Sequence, residues 1–250
     1  HGGGGTGAGM VELTRGGFHV LADRERFLVV YPDAVEQHWN DGREGGTSLA
    51  HRERIDDVGF LEAVVAAVAS AHPVDRGRVF ACGISNGAMM SHRLGLERPD
   101  LVAAIAPVAG AMPAGIGSGA VGLPVSVLAI SGTDDPLVPY EGGDVHFARK
   151  KLGRVLSARE TLRIWSEKNG CAAGEVEHSE GGGDGLAVDV ERRRGREGSE
   201  VVLYAVAGGG HTWPGGKQYL PELLIGKTLR RVDGCGLIWK FFEEHGRKAP

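Results

Sequence analysis

Short apolar runs alternate along the chain with longer stretches whose apolar residues recur at helical spacing. Residues 27–31, Phe-Leu-Val-Val-Tyr, form a continuous apolar run closed by Pro32-Asp33, the pattern of a buried strand. In residues 56–71, Val58, Leu61, Val64, Val65 and Val68 share one helical face. Asp56 and Asp57 stand at the start of that stretch, where carboxylates suit the helix dipole. A strand follows over 79–82, then a helix over 86–98 ended by Pro99. Residues 102–108 and 125–130 are apolar without alternation, as in strands covered on both faces. The pattern next predicts a helix over 158–169 stopped by Gly170, a strand over 201–206 and a closing helix over 237–245. The glycine- and charge-rich stretches 180–185 and 192–198 read as the ends of a surface hairpin. Strand and helix alternating in this way imply an α/β fold, a mostly parallel sheet with helices on both faces.

Composition narrows the picture. Glycine supplies 42 of the 250 residues, well above the usual share of about 7 %. There is no Gly-X-Y period and only 11 prolines, which excludes collagen. A hydrophobic share of 42 % and a charged share of 24 % suit a soluble folded chain, and the length fits a single domain over residues 1–250. No apolar run approaches the roughly 18 residues of a transmembrane helix, so no membrane partner is expected. A formal net charge of −4 argues against nucleic acid. Three cysteines, Cys82, Cys171 and Cys235, without a CxxC, support neither a disulfide framework nor a zinc or redox site. No metal or organic cofactor is called for.

One motif carries chemistry. Gly83-Ile84-Ser85-Asn86-Gly87 is the chain's single G-x-S-x-G. At this glycine content about 0.3 such matches arise by chance, so its setting matters more than the pattern. It leaves a strand directly and opens a helix directly, the strand–turn–helix of a nucleophile elbow. An ordinary turn with a serine cap is the bland alternative. A serine nucleophile needs a base and a group that orients the base. His72, His92 and His245 lie on or at the ends of helices. His211 sits among five glycines, in Gly208-Gly209-Gly210-His211-Thr212-Trp213-Pro214-Gly215-Gly216, after the last good strand. The run 125–130 ends in Ser131-Gly132-Thr133-Asp134-Asp135-Pro136, which offers two acids, Asp134 and Asp135. The order serine, acid, histidine is that of α/β-hydrolases. His1-Gly2-Gly3-Gly4-Gly5 can present backbone N–H groups to a developing oxyanion. With no Gly-Lys-Ser/Thr following, it is not a phosphate loop.

These stretches, with Tyr31-Pro32-Asp33-Ala34, Trp39-Asn40-Asp41-Gly42-Arg43, Asp56-Asp57-Val58-Gly59-Phe60, Ala106-Pro107-Val108-Ala109-Gly110 and Asn169-Gly170-Cys171, run over nearly the whole chain. Together the sequence resembles the polyhydroxybutyrate-depolymerase-like esterases, close to bacterial feruloyl and acetyl-xylan esterases. The resemblance implies an α/β-hydrolase fold and a triad of Ser85, Asp135 and His211, with Asp135 chosen over Asp134 by the family's G-T-x-D pattern. It implies an oxyanion hole from the N–H of Asn86 and of Gly3 or Gly4. The implied reaction is hydrolysis of short-chain, hydroxyalkanoate, feruloyl or acetyl esters through an acyl-enzyme, on a small-molecule or oligomeric ester, outside the cell or in the periplasm. A serine peptidase or an acyltransferase on the same fold are the alternatives; a non-catalytic binding protein would not keep all three triad members. Trp39, Tyr140, Trp213 and Tyr219 fall in or beside the loops of the active edge and are candidates to stack on substrate, with bracing the alternative for Trp39 and Trp213. Two departures follow. The second cysteine that pairs with Cys171's counterpart in many relatives has no match in Glu191-Arg192-Arg193-Arg194-Gly195, so all three thiols are expected free. In the family's fold a strand also runs into the His-Gly-Gly loop, between the strands matching residues 27–31 and 79–82; its absence implies an upstream strand, with a secretion signal before it.

Overall fold

The apolar runs after residue 78 join one sheet. In the computed structural model, which describes residues 1–117, 122–148, 150–179 and 185–247, the strands are β1 (Phe80–Ile84), β2 (Ala104–Val108), β3 (Ser126–Gly132), β4 (Gly143–Phe147), β5 (Lys150–Val155), β6 (Glu175–Ser179), β7 (Ala187–Arg194) and β8 (Glu200–Ala207). The main sheet has the order β1-β2-β3-β8-β7-β6. Its first four strands are parallel, and β7 and β6 extend it as an antiparallel hairpin. The expected hairpin is therefore present, although residues 180–184 at its turn lie outside the described residues. β4 and β5 form a separate antiparallel pair. In the main sheet Ile84 pairs with Val108, Val108 with Ile130 and Ile130 with Tyr204. The strand ends that follow these residues thus emerge at one edge.

The helices are α1 (Gly7–Leu13), α2 (Gly17–Glu25), α3 (Leu49–Arg52), α4 (Asp57–Ala71), α5 (Asn86–Glu97), α6 (Ala158–Asn169), α7 (Glu222–Ile225) and α8 (Gly234–Glu244). Alternate strand residues face opposite layers, as the two-residue strand period requires. Ala104, Ala106, Leu128 and Ile130 pack with Phe18 of α2 and Ile238 and Phe241 of α8. Ile105, Val127 and Leu203 pack with Val58 of α4, Leu94 of α5 and Trp165 of α6. Helices thus cover both faces. α6 has the expected bounds: Ser157 Oγ accepts from the Glu160 N–H, and Gly170 takes a left-handed conformation (φ 66°) at the stop. The face expected on α4 is seated shallowly, with Leu61, Val64, Val65 and Val68 half-buried.

Residues 27–31 correct the sequence reading. They are extended but pair with no strand, and β1 is the edge of the sheet among the described residues. Phe27, Val29 and Tyr31 turn inward onto the α2–α8 side of the core, where Phe27 stacks on Trp239 at 3.9 Å. Leu28 and Val30 face outward, 54 % and 49 % exposed. An apolar run resembles a strand whether its backbone is paired or merely packed. All three cysteines are free thiols, as expected.

Another buried group makes stability pH-dependent. His92 of α5 is wholly buried, and its Nδ1 accepts a 3.0 Å hydrogen bond from Trp165 Nε1. Burial pushes its pKa down to about 3. An unfolded histidine titrates near 6.5, so between those values the unfolded chain binds a proton that the fold refuses. Stability should therefore fall as pH falls through this window. His92→Gln, which keeps an acceptor for Trp165 but cannot titrate, should lose about 1 kcal/mol less per pH unit there. Urea unfolding at pH 7, 6, 5 and 4 measures the difference; equal slopes for the two proteins would refute the assignment.

Candidate active site

Three strand ends deliver three side chains to one edge. Ser85 follows β1 and precedes α5 with no intervening residue, at φ 57° and ψ −120°. The turn is this tight because glycine flanks it: a Cβ on Gly83 would stand 2.7 Å from the Gly87 carbonyl carbon. The Ser85 N–H donates to the Val108 carbonyl, 2.9 Å, and its carbonyl accepts from the Met89 N–H, 2.9 Å. The backbone is held while the hydroxyl stays free of hydrogen bonds among the described residues.

The acid and histidine loops are tied to each other. Thr133 N–H donates to the Val206 carbonyl (3.0 Å), and Asp134 N–H to the Gly209 carbonyl (3.0 Å). Thr133 Oγ1 accepts from the Gly208 N–H, 2.9 Å. A Cβ on Gly132 would lie 2.2 Å from the Gly209 oxygen, so the close approach of the two loops requires glycine there. Asp135 Oδ1 accepts from the N–H groups of Leu137 and Val138, both at 2.8 Å. Its Oδ2 lies 2.7 Å from His211 Nδ1, with both side chains buried. Asp134 is exposed, bonded to the Thr133 hydroxyl instead. The choice of Asp135 is thus the one the geometry makes. A carboxylate at Nδ1 puts the ring proton on that nitrogen and leaves Nε2 with its lone pair.

Ser85 Oγ and His211 Nε2 share no hydrogen bond among the described residues, although the triad implied by the resemblance would bring them together. Serine–base contacts are often long in the absence of substrate and close when it binds.

The oxyanion side is more elaborate than the sequence suggested. Gly2 lies over the serine: a Cβ there would stand 3.4 Å from Ser85 Cβ. Gly4 is excluded as an oxyanion donor, because its N–H donates to the Gln37 carbonyl at 2.9 Å. The N–H groups of Gly3 and Asn86 have no protein acceptor among the described residues and remain available. One residue ties the His1 loop to the start of α5. Trp39 Nε1 donates to the His1 carbonyl (3.0 Å), and Trp39 N–H donates to Asn86 Oδ1 (2.7 Å). Asn86 Nδ2 returns hydrogen bonds to the Trp39 carbonyl (3.0 Å) and to Asp41 Oδ2 (2.7 Å). The Trp39–Arg43 run was legible as a motif, but its contact with Asn86 was not.

The four candidate aromatic residues separate. Trp39 and Trp213 are 3 % and 0 % exposed, which leaves no ring face for a substrate; both brace loops. Trp213 packs edge-on to Phe18 at 6.0 Å. Tyr140 is buried and lines a crevice of about 10 Å³ with Asp135. Tyr219 is 38 % exposed, and its hydroxyl donates to the His211 carbonyl at 3.1 Å.

No family model matches the chain. It is 31 % identical over 239 residues to "Putative esterase NocK" of Nocardia uniformis subsp. tsuyamanensis, covering 92 % of this chain and 69 % of that one. It is 30 % identical over 165 residues to "Feruloyl esterase B" of Piromyces equi, covering 65 % of this chain but 30 % of the relative. Among solved structures, an acetyl xylan esterase from Aspergillus awamori superposes with a TM-score of 0.57 at 17 % identity, over 85 % of this chain and 81 % of that one, which shows a shared fold. With its mostly parallel sheet covered by helices on both faces, and with the NocK relative matched over two thirds of its length, the chain belongs to the esterase family of NocK, on the α/β-hydrolase fold.

Proposed function

We propose that the chain is a serine esterase that works through an acyl-enzyme formed on Ser85. The observation that carries this reading is His211, held by Asp135 at Nδ1 with Nε2 left as a base at the edge where Ser85 emerges. Ser85 Oγ attacks the ester carbonyl carbon while its proton passes to Nε2. Asp135 stabilises the imidazolium that results. The N–H groups of Asn86 and Gly3 receive the oxyanion, each donor worth about 3 kcal/mol of transition-state stabilisation. The imidazolium then protonates the leaving alcohol. Water, deprotonated by His211, repeats the sequence and releases the acid.

The substrates we infer are small, soluble carboxylic esters, with Tyr219 the aromatic face available beside the histidine. The relatives' names, feruloyl and acetyl xylan esterase, favour feruloyl and acetyl esters over hydroxyalkanoates. The reading includes action outside the cell or in the periplasm. A panel of p-nitrophenyl acetate, p-nitrophenyl butyrate, methyl ferulate, a hydroxybutyrate oligomer and an aminoacyl anilide tests it. Acetate and ferulate esters should turn over fastest and the anilide not measurably; a preference for the anilide would make the protein a peptidase.

A further inference from the structure

A second serine–histidine–carboxylate chain is joined to the surroundings of Ser85 through Asp41, whose Oδ2 accepts from Asn86 Nδ2. Ser48 precedes α3, and His51, one helical turn on, brings its ring back to it. His51 Nδ1 is 2.7 Å from Ser48 Oγ, and Nε2 is 2.9 Å from Asp41 Oδ1. The Asp41 side chain is fully buried. Burial alone would raise its pKa, but Arg43 and the hydrogen bond from His51 outweigh burial and hold the carboxyl below its ordinary range. An ionised carboxylate can only accept, so the ring proton sits on Nε2 and the Nδ1 lone pair faces Ser48. The hydroxyl therefore donates its hydrogen to the ring. Ser48 Oγ also accepts the His51 N–H at 3.4 Å, which caps α3. Capping uses a lone pair of the oxygen and leaves the hydrogen's commitment to a carboxylate-backed imidazole unexplained.

The hydroxyl has space in front of it. Ser48 lines a cavity of about 390 Å³ with His38, Arg43, Leu49, Arg52 and Leu152, none of which lines the crevice beside Asp135. One donor beside the hydroxyl lacks a protein acceptor among the described residues, the Leu49 N–H, next after the serine; the buried Arg43 Nε instead faces Asp41 Oδ1 at 3.6 Å.

We propose that Ser48 is a second nucleophile, activated by His51 and Asp41, that accepts acyl groups from small carboxylic esters entering this cavity. Ser48 Oγ forms a bond to the carbonyl carbon and its proton moves to His51 Nδ1. The bond from that carbon to the alkoxy oxygen breaks, and the alcohol leaves with the proton. Water then attacks the acyl-serine by the same route, and the free acid departs. The site shares Asp41 with the clamp on Asn86, but its nucleophile is a different serine, and the experiment below separates the two assignments.

A fluorophosphonate probe tests it, since a serine activated by a base displaces fluoride from phosphorus. The Ser85→Ala protein, shown by its melting curve to be folded, should still take up the probe. Tryptic digestion should place the label on the peptide spanning residues 44–52, whose hydroxyl residues are Thr47 and Ser48, and fragmentation should place it on Ser48. Adding Ser48→Ala should abolish labelling, and adding His51→Gln should slow it about 100-fold. A folded Ser85→Ala protein that takes no label, a label on Thr47, or labelling indifferent to His51→Gln would each overturn the proposal. Wild-type protein labelled at Ser85 alone would remove Ser48 and leave the esterase reading intact.

Discussion

Ser85→Ala should lower kcat for ester hydrolysis by roughly 10⁴- to 10⁶-fold, the range seen when a triad loses its nucleophile. The hydroxyl makes no hydrogen bond among the described residues, so its removal breaks none of the described contacts. The backbone bonds to Val108 and Met89 do not involve the side chain. Alanine meets the same positive φ that serine already endures. The N–H groups of Asn86 and Gly3 remain, so substrate should bind with little change in KM. Steady-state kinetics on p-nitrophenyl acetate, paired with a melting curve, separates lost chemistry from lost structure. Activity within tenfold of the wild type would place the esterase chemistry elsewhere.

Asp135→Asn should reduce kcat by roughly 10⁴-fold, and its mechanism can be derived from two backbone donors. The N–H groups of Leu137 and Val138 both point at Oδ1. In the amide variant they select the oxygen for that position, because an NH₂ group cannot accept two hydrogen bonds. The NH₂ then occupies the place of Oδ2 and donates to His211 Nδ1. The ring must accept there, which moves its proton to Nε2 and leaves no base facing the serine. Asp134→Asn is the control: its carboxylate is exposed and bonded to a neighbouring hydroxyl, and activity should stay near the wild-type value. An Asp135→Asn protein within tenfold of wild type would show that the tautomer does not control the reaction.

The parts of the fold that could be read in advance were those where local chemistry and packing agree. α6 has a serine cap, a glycine stop and an apolar face carrying Leu162 and Trp165, and its bounds came out as expected. The elbow and the acid and histidine loops were legible because each needs glycine or a defined turn at the end of an apolar strand. Asp134 and Asp135 could not be separated by spacing alone; the resemblance chose between them, and the two N–H donors on Oδ1 explain the choice. Residues 27–31 misled because an apolar run reports burial and says nothing about whether the backbone has a partner. β4 and β5 went unnoticed: Gly-Asp-Val-His-Phe and Lys-Lys-Leu-Gly-Arg-Val hold few apolar residues, and their pairing comes from tertiary contact. The aromatic assignments divided for a similar reason. Sequence placed Trp39 and Trp213 near the active edge, but only packing shows that their rings point into the protein.

The conformation of Ser85 also bears on how such a protein can change over generations. A non-glycine residue at φ 57°, ψ −120° carries about 1–3 kcal/mol of backbone strain. Glycine would relieve it, offset in part by its greater freedom in the unfolded chain. Ser85→Gly should therefore melt higher, by about 2–4 °C for each kcal/mol recovered in a chain of this size. An unchanged or lower melting point would mean that the turn is not strained. Where turnover confers no advantage, drift at this codon runs toward glycine and a sturdier, inert descendant. A lineage that keeps serine here keeps it against the durability of its own fold.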